Sequence, residues 1–373
     1  MSLNPDGNVF EQCGDTNWRQ VDWQWLFERA ARHKIAALFA ARMEQHGLTA
    51  SIPMSAKDNL LKIREAAHRK AIGAVSTLQQ VAEAYRRKKI PFFVVKGIVL
   101  AEHVYENRAV RLFSDMDIVV RSEDIEPAEE ALLSLGYTLY CPPKFQTGHS
   151  TESAETLTRN YCRTHARHLT FGLPEGDGRL PVELHWHISD PGVLKVDQSA
   201  LWQNIACLTV GDVPVQTLNL EATLIHLAVH ALRPGPIDFR LLHLCDVAWL
   251  IARLGQKLDA DLAWKIANAW GAQHYLICAL QMVRDLIPFK SPSACDRLVD
   301  GRFFSRMCLR LAADDGFLLD NSLPENRWRR LAIVASRRFF WDLALWLLPL
   351  RQFLAEAFDR RFEMRFTQRR VAQ

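Results

Sequence analysis

The pattern of apolar and polar residues divides the chain into three regions. From residue 18 to residue 87 apolar side chains recur at helical spacing, which predicts an N-terminal helical region over residues 1–88. Residues 89–190 carry short apolar runs alternating with helical segments and predict a mixed α/β core. Beyond residue 190, two alternating runs flank Gly211-Asp212 and predict a short hairpin, after which helical patterns predict a bundle to residue 373. The predicted fold class is therefore α+β.

Within the core, the pattern indicates strands separated by helices. An apolar run at Pro91–Val95 predicts a strand, residues from Ile98 to about Tyr105 predict a helix, and Arg111–Val120 predicts the next strand. Ser122 is suited to the N-cap of a following helix, and Gly136 to the position just after its end. The expected order is strand, helix, strand, helix and a further strand.

Two carboxylates mark the second of these strands. Asp115 and Asp117 occupy alternate positions, so on a strand they share a face and lie roughly 6–7 Å apart along it. Carboxylates held this close repel each other unless a cation lies between them. The pair therefore predicts a divalent metal site, although an Asp-x-Asp sequence in a surface loop commonly has no function.

The turn before the first core helix offers a place for an anion. Lys96-Gly97 follows the buried run and precedes the helix, so backbone N–H groups are available there to face a phosphate. Lys96 adds a positive point charge. The alternative is that Gly97 belongs to a plain turn.

These motifs together carry a family resemblance. They are Lys96-Gly97, Arg111, Ser114-Asp115-Met116-Asp117, Gly136-Tyr137 and Val182-Glu183-Leu184-His185-Trp186. In this combination the chain resembles the uncharacterised nucleotidyltransferase family of the DNA polymerase beta-like superfamily over about residues 89–250. The resemblance implies a polymerase beta-like nucleotidyltransferase core, a mixed sheet with helices, flanked by N-terminal and C-terminal helical regions.

The resemblance also assigns roles to residues. It implies that Asp115 and Asp117 bind metal, that Glu183 is the third catalytic and metal-binding carboxylate, and that Gly97 is the turn glycine that faces the phosphates. The chain departs from the superfamily at Ile98, where a small polar residue would contact phosphate. Glu183 has a simpler alternative as an exposed acid on a half-buried strand.

The expected function is a Mg²⁺-dependent nucleotidyltransferase, with Mn²⁺ as an alternative ion. It would move a nucleoside monophosphate from a nucleoside triphosphate such as ATP to the hydroxyl of an unidentified small molecule, protein or RNA. The nucleotide-binding residues would be Lys96, Gly97, Arg111 and Ser114, and further site residues would be His185, His230, Arg240 and Asp246. The alternative function is a catalytically inactive nucleotide-binding or scaffold protein of the same fold.

Histidines near Glu183 support a competing metal hypothesis. The imidazoles concerned belong to His165, His168, His185 and His187. Together with Glu183 they form a conceivable zinc site, which would indicate a metal-dependent hydrolase. The alternative is that these histidines orient carboxylates or contact phosphate. His226 and His230, four residues apart on a predicted helix, are either ligands or a polar stripe packed against a neighbouring element.

A polar segment, Pro142–Arg167, interrupts the core. Its arginines, among them Arg159, Arg163 and Arg167, would clamp a triphosphate or an acidic substrate, or else belong to a solvated loop.

Composition and charge bear on the expected partners and location of the protein. A net charge of +4 does not by itself indicate nucleic-acid binding. The eight cysteines have no metal or redox spacing, and the N-terminus lacks a secretory signal pattern, so we expect a cytoplasmic protein with reduced thiols. The apolar segment 339–354 contains Asp342 and Arg351, which argues against a transmembrane helix. It predicts either a buried helix or an interfacial one.

Overall fold

The computed structural model describes residues 17–146, 152–189, 194, 196–232, 240–287 and 292–299. The helices in this part of the chain are α1 (Trp23–Arg32), α2 (Ala36–Gln45), α3 (Met54–Arg87), α4 (Gly97–His103), α5 (Ile125–Ser134), α6 (Ala154–His165), α7 (Gln198–Trp202), α8 (Leu220–Leu232), α9 (Leu241–Leu254), α10 (Ala260–Trp270), α11 (Gln273–Leu286) and α12 (Ser293–Val299). The strands are β1 (Phe92–Val95), β2 (Met116–Val120), β3 (Thr138–Leu139), β4 (His168–Gly172), β5 (Val182–His185), β6 (Ile205–Val210) and β7 (Val213–Leu218). This composition confirms the predicted α+β class.

The central sheet is mixed. Its strands follow the order β1-β2-β5-β4-β3, in which β2 and β5 are parallel and the other neighbours are antiparallel. The strands β6 and β7 form the predicted hairpin around Gly211, whose φ of +57° suits glycine. The hairpin packs against β1 and α3.

The two faces of the sheet belong to different hydrophobic cores. Val94, Ile118 and Val120 pack with α3 and α5, whereas Phe93 and Val119 pack with the C-terminal helices α8, α9 and α11. Because strand side chains alternate between faces, Asp117 points the same way as Val119, toward the C-terminal helices. Those helices therefore cover the face that carries the acidic residues.

A third apolar cluster holds the N-terminal helices together. Trp23, Phe39, Met43 and Leu60 join α1, α2 and the first turns of α3. The predicted helical character of this part is confirmed, while the domain boundaries at residues 88 and 190 stay a prediction.

Two local expectations in the core were wrong. The strand predicted over 111–120 contains only Met116–Val120, and its first bond to the neighbouring segment runs from Met116 N to Pro181 O at 2.9 Å. Ser122 is not the N-cap of α5, because it begins a short 3-10 turn that ends at Asp124, and its hydroxyl instead accepts a bond of 2.8 Å from Gln198 Nε2.

The predicted end of α5 is confirmed. Gly136 has φ +86°, and the amides of Gly136 and Tyr137 donate to the carbonyls of Leu133 and Leu132, the bond pattern that closes a helix with glycine.

The segment Pro142–Arg167 is largely helical where the structure describes it, rather than a solvated loop. Helix α6 occupies Ala154–His165, capped by Ser153, whose hydroxyl accepts from Thr156 N at 3.1 Å. Arg159 and Arg163 pair with Glu129 and Glu126 of α5. These two arginines therefore attach α6 to the core.

None of the helices in the described ranges is long and apolar enough to cross a bilayer. The segment 339–354 lies outside the described residues.

Candidate active site

A polar cavity of about 360 Å³ opens over the acidic face of the sheet. Its lining combines the turn after α1, the core strands and the start of α9. The lining residues are Lys34, Lys96, Gly97, Arg111, Leu112, Phe113, Ser114, Asp115, Asp117, Arg167, His168, Glu183, His185, His187, Ile188, Ser189, His230, Arg240, Leu242 and His243.

The sheet register brings the predicted carboxylates together. Asp117 and Glu183 are directly paired positions on the parallel strands β2 and β5. Asp115 precedes β2 by one residue and lines the same cavity. Two adjacent strands and the loop before one of them therefore supply three carboxylates to one space.

Asp117 is the best compensated of the three. Its Oδ1 accepts a bond from Lys96 Nζ at 2.9 Å and another from His185 Nε2 at 3.0 Å. Burial opposes ionisation, but Lys96 and His185 outweigh it and hold the pKa of Asp117 well below its usual range. Asp117 is therefore ionised at neutral pH.

His185 bridges two of the carboxylates. Its Nε2 also lies 3.1 Å from Glu183 Oε2. Burial would lower the pKa of His185, but the bonds and charges of Asp117 and Glu183 raise it to about 9. The same contact lowers the pKa of Glu183 against the opposing effect of burial. An imidazolium thus lies between two carboxylates.

Asp115 is in a different electrostatic position. Burial, and then the charges of Asp117 and Glu183, raise the pKa of Asp115. Its Oδ2 accepts from the Ser114 hydroxyl at 2.8 Å, and Ser114 Oγ in turn accepts from Lys34 Nζ at 3.2 Å. The negative charge at this corner is only partly compensated.

The turn between β1 and α4 is tightly built. Lys96 has φ +53°, a conformation that side-chain-bearing residues rarely adopt, and Gly97 is buried. A Cβ at Gly97 would lie 3.3 Å from the Phe113 ring, so the glycine permits close packing of the loop that carries Asp115.

Arg111 lies in the cavity wall with its guanidinium already engaged. It donates two bonds of 2.7 Å to the carboxylate of Asp246 and one of 3.4 Å to Gly97 O. Both partners are nearly fully buried, and Tyr105 also donates to Asp246. Asp246, predicted to face the site, is not among the lining residues, and its carboxylate is bonded to Arg111 and Tyr105.

The histidines divide into two groups. His168, Glu183 and His185 place one potential ligand atom each within 4.8 Å of one another, whereas His165 stacks on Tyr161. His187 lines the cavity, and its Nε2 lies 2.8 Å from Val196 O. Of the described histidines named for the zinc hypothesis, only two therefore converge with Glu183.

The C-terminal helices add cations and imidazoles. His230 and Arg240 line the cavity, and the ring of His243 lies 4.4 Å from that of His230. His226, one turn before His230 on α8, is buried and does not line the cavity.

Sequence reasoning did not assign Lys34 or His243 to the site, and both lie far from the motifs. Arg167, for which the sequence left open a triphosphate clamp or a solvated loop, lines the cavity. Lys34 and His243 reach the cavity only through the packing of distant helices. No local pattern in the sequence indicates such packing.

Comparison with known proteins identifies the family. The family model described as uncharacterised nucleotidyltransferase matches residues 19–288. The chain belongs to this family. The match confirms the resemblance and extends it beyond residues 89–250 into the N-terminal helices, including the turn that carries Lys34.

Two solved structures are similar to the chain at low identity. The antibiotic-resistance factor ANT(2'')-Ia is 12% identical, covering 52% of this chain and 89% of its own, with a TM-score of 0.32. The lincosamide antibiotic adenylyltransferase LnuA, solved with lincomycin, is 11% identical, covering 47% and 94%, with a TM-score of 0.29. No curated protein matches the chain.

Proposed function

We propose that the protein transfers a nucleoside monophosphate from a nucleoside triphosphate to the hydroxyl of an acceptor, in a reaction that requires Mg²⁺ or Mn²⁺. The observation that carries the proposal is the convergence of Asp115, Asp117 and Glu183 in one cavity that also contains Lys96. Membership of a nucleotidyltransferase family supports it.

The carboxylates suit a hard divalent cation by their chemistry, while the ligand atoms that lie within 4.8 Å of one another in the described chain belong to His168, Glu183 and His185. Three carboxylates supply the oxygen ligands that Mg²⁺ prefers. Burial, and then the charges of Asp117 and Glu183, raise the pKa of Asp115, and a bound cation would lower it. Asp115, Asp117 and Glu183 would hold the ion or ions. When bound, Mg²⁺ neutralises phosphate charge and favours deprotonation of the attacking hydroxyl.

The chain's own residues position the reactants. Lys96, placed beside Asp117, is within the cavity and would supply positive charge to the phosphates. Ser114 would orient Asp115 through their hydrogen bond, and it lines the cavity that would take the nucleotide. Gly97 has no side chain, so its backbone lines the cavity directly.

In this proposal Arg111 does not contact phosphate, which differs from the role that the sequence predicts for it. Because Asp246 holds its guanidinium through two bonds, Arg111 positions the Gly97 turn from within the wall. Its positive charge is largely matched by Asp246.

Glu183 is proposed to serve the acceptor side. The bond from His185 keeps Glu183 ionised, so its carboxylate is available to assist removal of the acceptor proton. The acceptor is a small molecule, a protein side chain or an RNA end.

The first test is thermal. Addition of MgATP should raise the Tm of the parent protein, because a ligand that binds only the native state stabilises it by about 2.7 kcal/mol at one hundred times its Kd. The double variant Asp115→Asn, Asp117→Asn should lose this increase, and so should the parent protein in excess EDTA. Asp58→Asn, an exposed change on α3, is the control and should keep it.

A double variant that binds MgATP as the parent does would contradict the metal assignment. Binding of MgATP by the parent without transfer to any acceptor would favour the inactive nucleotide-binding alternative. A Tm increase with Zn²⁺ alone that requires His168 would favour the zinc hydrolase.

A further inference from the structure

Lys34 reaches the candidate active site from the N-terminal helices. It lies in the turn between α1 and α2, and its Nζ donates to Ser114 Oγ at 3.2 Å. Ser114 donates in turn to Asp115 Oδ2 at 2.8 Å. A chain of hydrogen bonds therefore connects this turn to the least compensated carboxylate.

The backbone of Lys34 adopts a conformation that favours glycine. Its φ is +55°, its N–H donates to Ala31 O at 3.0 Å, and Ile35 N donates to Ala30 O at 2.9 Å. These bonds close the end of α1, at a position where glycine is the least strained residue. A lysine there lowers the stability of the fold relative to glycine.

The chain contains a matched lysine at a second helix end. Lys89 has φ +56°, its N–H donates to Arg86 O at 3.0 Å, and Ile90 N donates to Tyr85 O at 2.9 Å. Lys89 is exposed and does not line the cavity. The two positions share backbone geometry but differ in what the side chain reaches.

The turn with Lys34 is fastened to the C-terminal helices. The carbonyl of His33 accepts a bond from Leu242 N at 3.3 Å, and the imidazole Nδ1 of His33 accepts one from Leu241 N at 3.4 Å. This contact brings Lys34 close to Arg240, which lines the same cavity. Burial, and then the charge of Arg240, lower the pKa of Lys34.

We propose that Lys34 is a phosphate-binding residue of the nucleotide site, whose ammonium moves from Ser114 to the triphosphate when nucleotide binds. A neutral hydroxyl is a weaker partner for an ammonium than a phosphate oxygen is. Lys34 and Arg240 together concentrate positive charge on the cavity wall contributed by the helices. The inference rests on the proposed function and adds a residue from outside the core motifs.

The test uses the full chain and measures MgATP affinity by calorimetry together with Tm. Lys34→Gly should raise the Tm, because the backbone strain is relieved, and should weaken MgATP binding about tenfold, as loss of a charge-assisted hydrogen bond does. Lys34→Arg should keep most of the affinity, since the charge is retained. Lys89→Gly should raise the Tm and leave the affinity unchanged.

The outcomes show whether Lys34 binds phosphate and whether the protein binds nucleotide. A Lys34→Gly protein that is more stable and binds MgATP as the parent does would overturn the proposal and leave the proposed function intact. Absence of MgATP binding by the parent would overturn both.

Magnesium tripolyphosphate separates the phosphates from the nucleoside. Lys34→Gly should weaken its binding by the same factor as MgATP binding. A loss confined to MgATP would place the contact on the nucleoside and contradict the phosphate assignment.

Discussion

At the scale of single residues, the two aspartates of the Asp-x-Asp motif differ in their surroundings. Asp117 accepts bonds from Lys96 and His185, whereas Asp115 accepts one from the neutral Ser114 hydroxyl. The pKa is accordingly lowered for Asp117 and raised for Asp115. The carboxylate of Asp115 is therefore the less compensated of the two.

His243 gives a pH-dependent prediction. Burial, and then the charges of Arg111, Lys96, Arg240 and Lys34, lower its pKa well below the usual value. The unfolded chain then binds more protons than the folded one as the pH falls below about 6.5, so the free energy of unfolding decreases. His243→Gln should make the loss of stability between pH 7 and 5 shallower, by at most about 1.4 kcal/mol per pH unit.

Urea unfolding at several pH values measures this effect. His68→Gln, an exposed change on α3, should keep the slope of the parent protein. Since the raised pKa of His185 is common to all three proteins, the difference between them isolates His243. Equal pH slopes for the parent and His243→Gln would contradict the account.

The position of some cavity residues follows from the sequence, and that of others does not. Asp117 and Glu183 lie on strands that the apolar pattern predicts, Asp115 lies in the loop before β2, and all three line one cavity. Lys34 and His243 depend on how helices from both ends of the chain pack over the sheet. No local pattern carries that information.

At the scale of elements, β2 is shorter than its apolar pattern indicates. Residues 111–115 form an irregular loop in which Arg111 bonds to Asp246 and Ser114 to Asp115. The side chains in this loop make contacts that a regular strand would not provide. Helix α6 in the polar segment was missed because its charged residues pair with α5, which compensates for its small apolar face.

Gly73 on α3 provides a test at this scale. An added Cβ would lie 2.0 Å from the backbone O of Gly178, in the segment that leads to β5. Alanine normally stabilises a helix interior by about 1 kcal/mol relative to glycine. Here the steric clash should outweigh the higher helix propensity of alanine, and Gly73→Ala should destabilise the protein by about 1–3 kcal/mol.

Chemical denaturation measures the change in stability. The neighbouring Ile72 is 72% exposed, so Ile72→Ala is the control and should change the stability by less than about 0.5 kcal/mol. A more stable Gly73→Ala protein would mean that α3 does not approach the 178 segment this closely.

At the scale of the whole molecule, the candidate site is a joint product of distant parts of the chain. The turn after α1 supplies Lys34, β2 and β5 supply Asp117 and Glu183, and the start of α9 supplies Arg240 and its neighbours. The family match spans all these parts, from residue 19 to residue 288. The helices therefore complete the cavity as well as stabilising the sheet.

The most direct test of the central claim is to follow which phosphate of ATP moves. The protein is incubated with Mg²⁺, a cell extract as the source of acceptors, and ATP labelled on either the α- or the γ-phosphate. Because attack at the α-phosphate releases pyrophosphate, α label should appear in a product and γ label in pyrophosphate. Asp117→Asn should abolish α transfer, whereas Asp58→Asn should retain it. Transfer of γ label by the parent protein, lost in Asp117→Asn, would contradict nucleotidyl transfer.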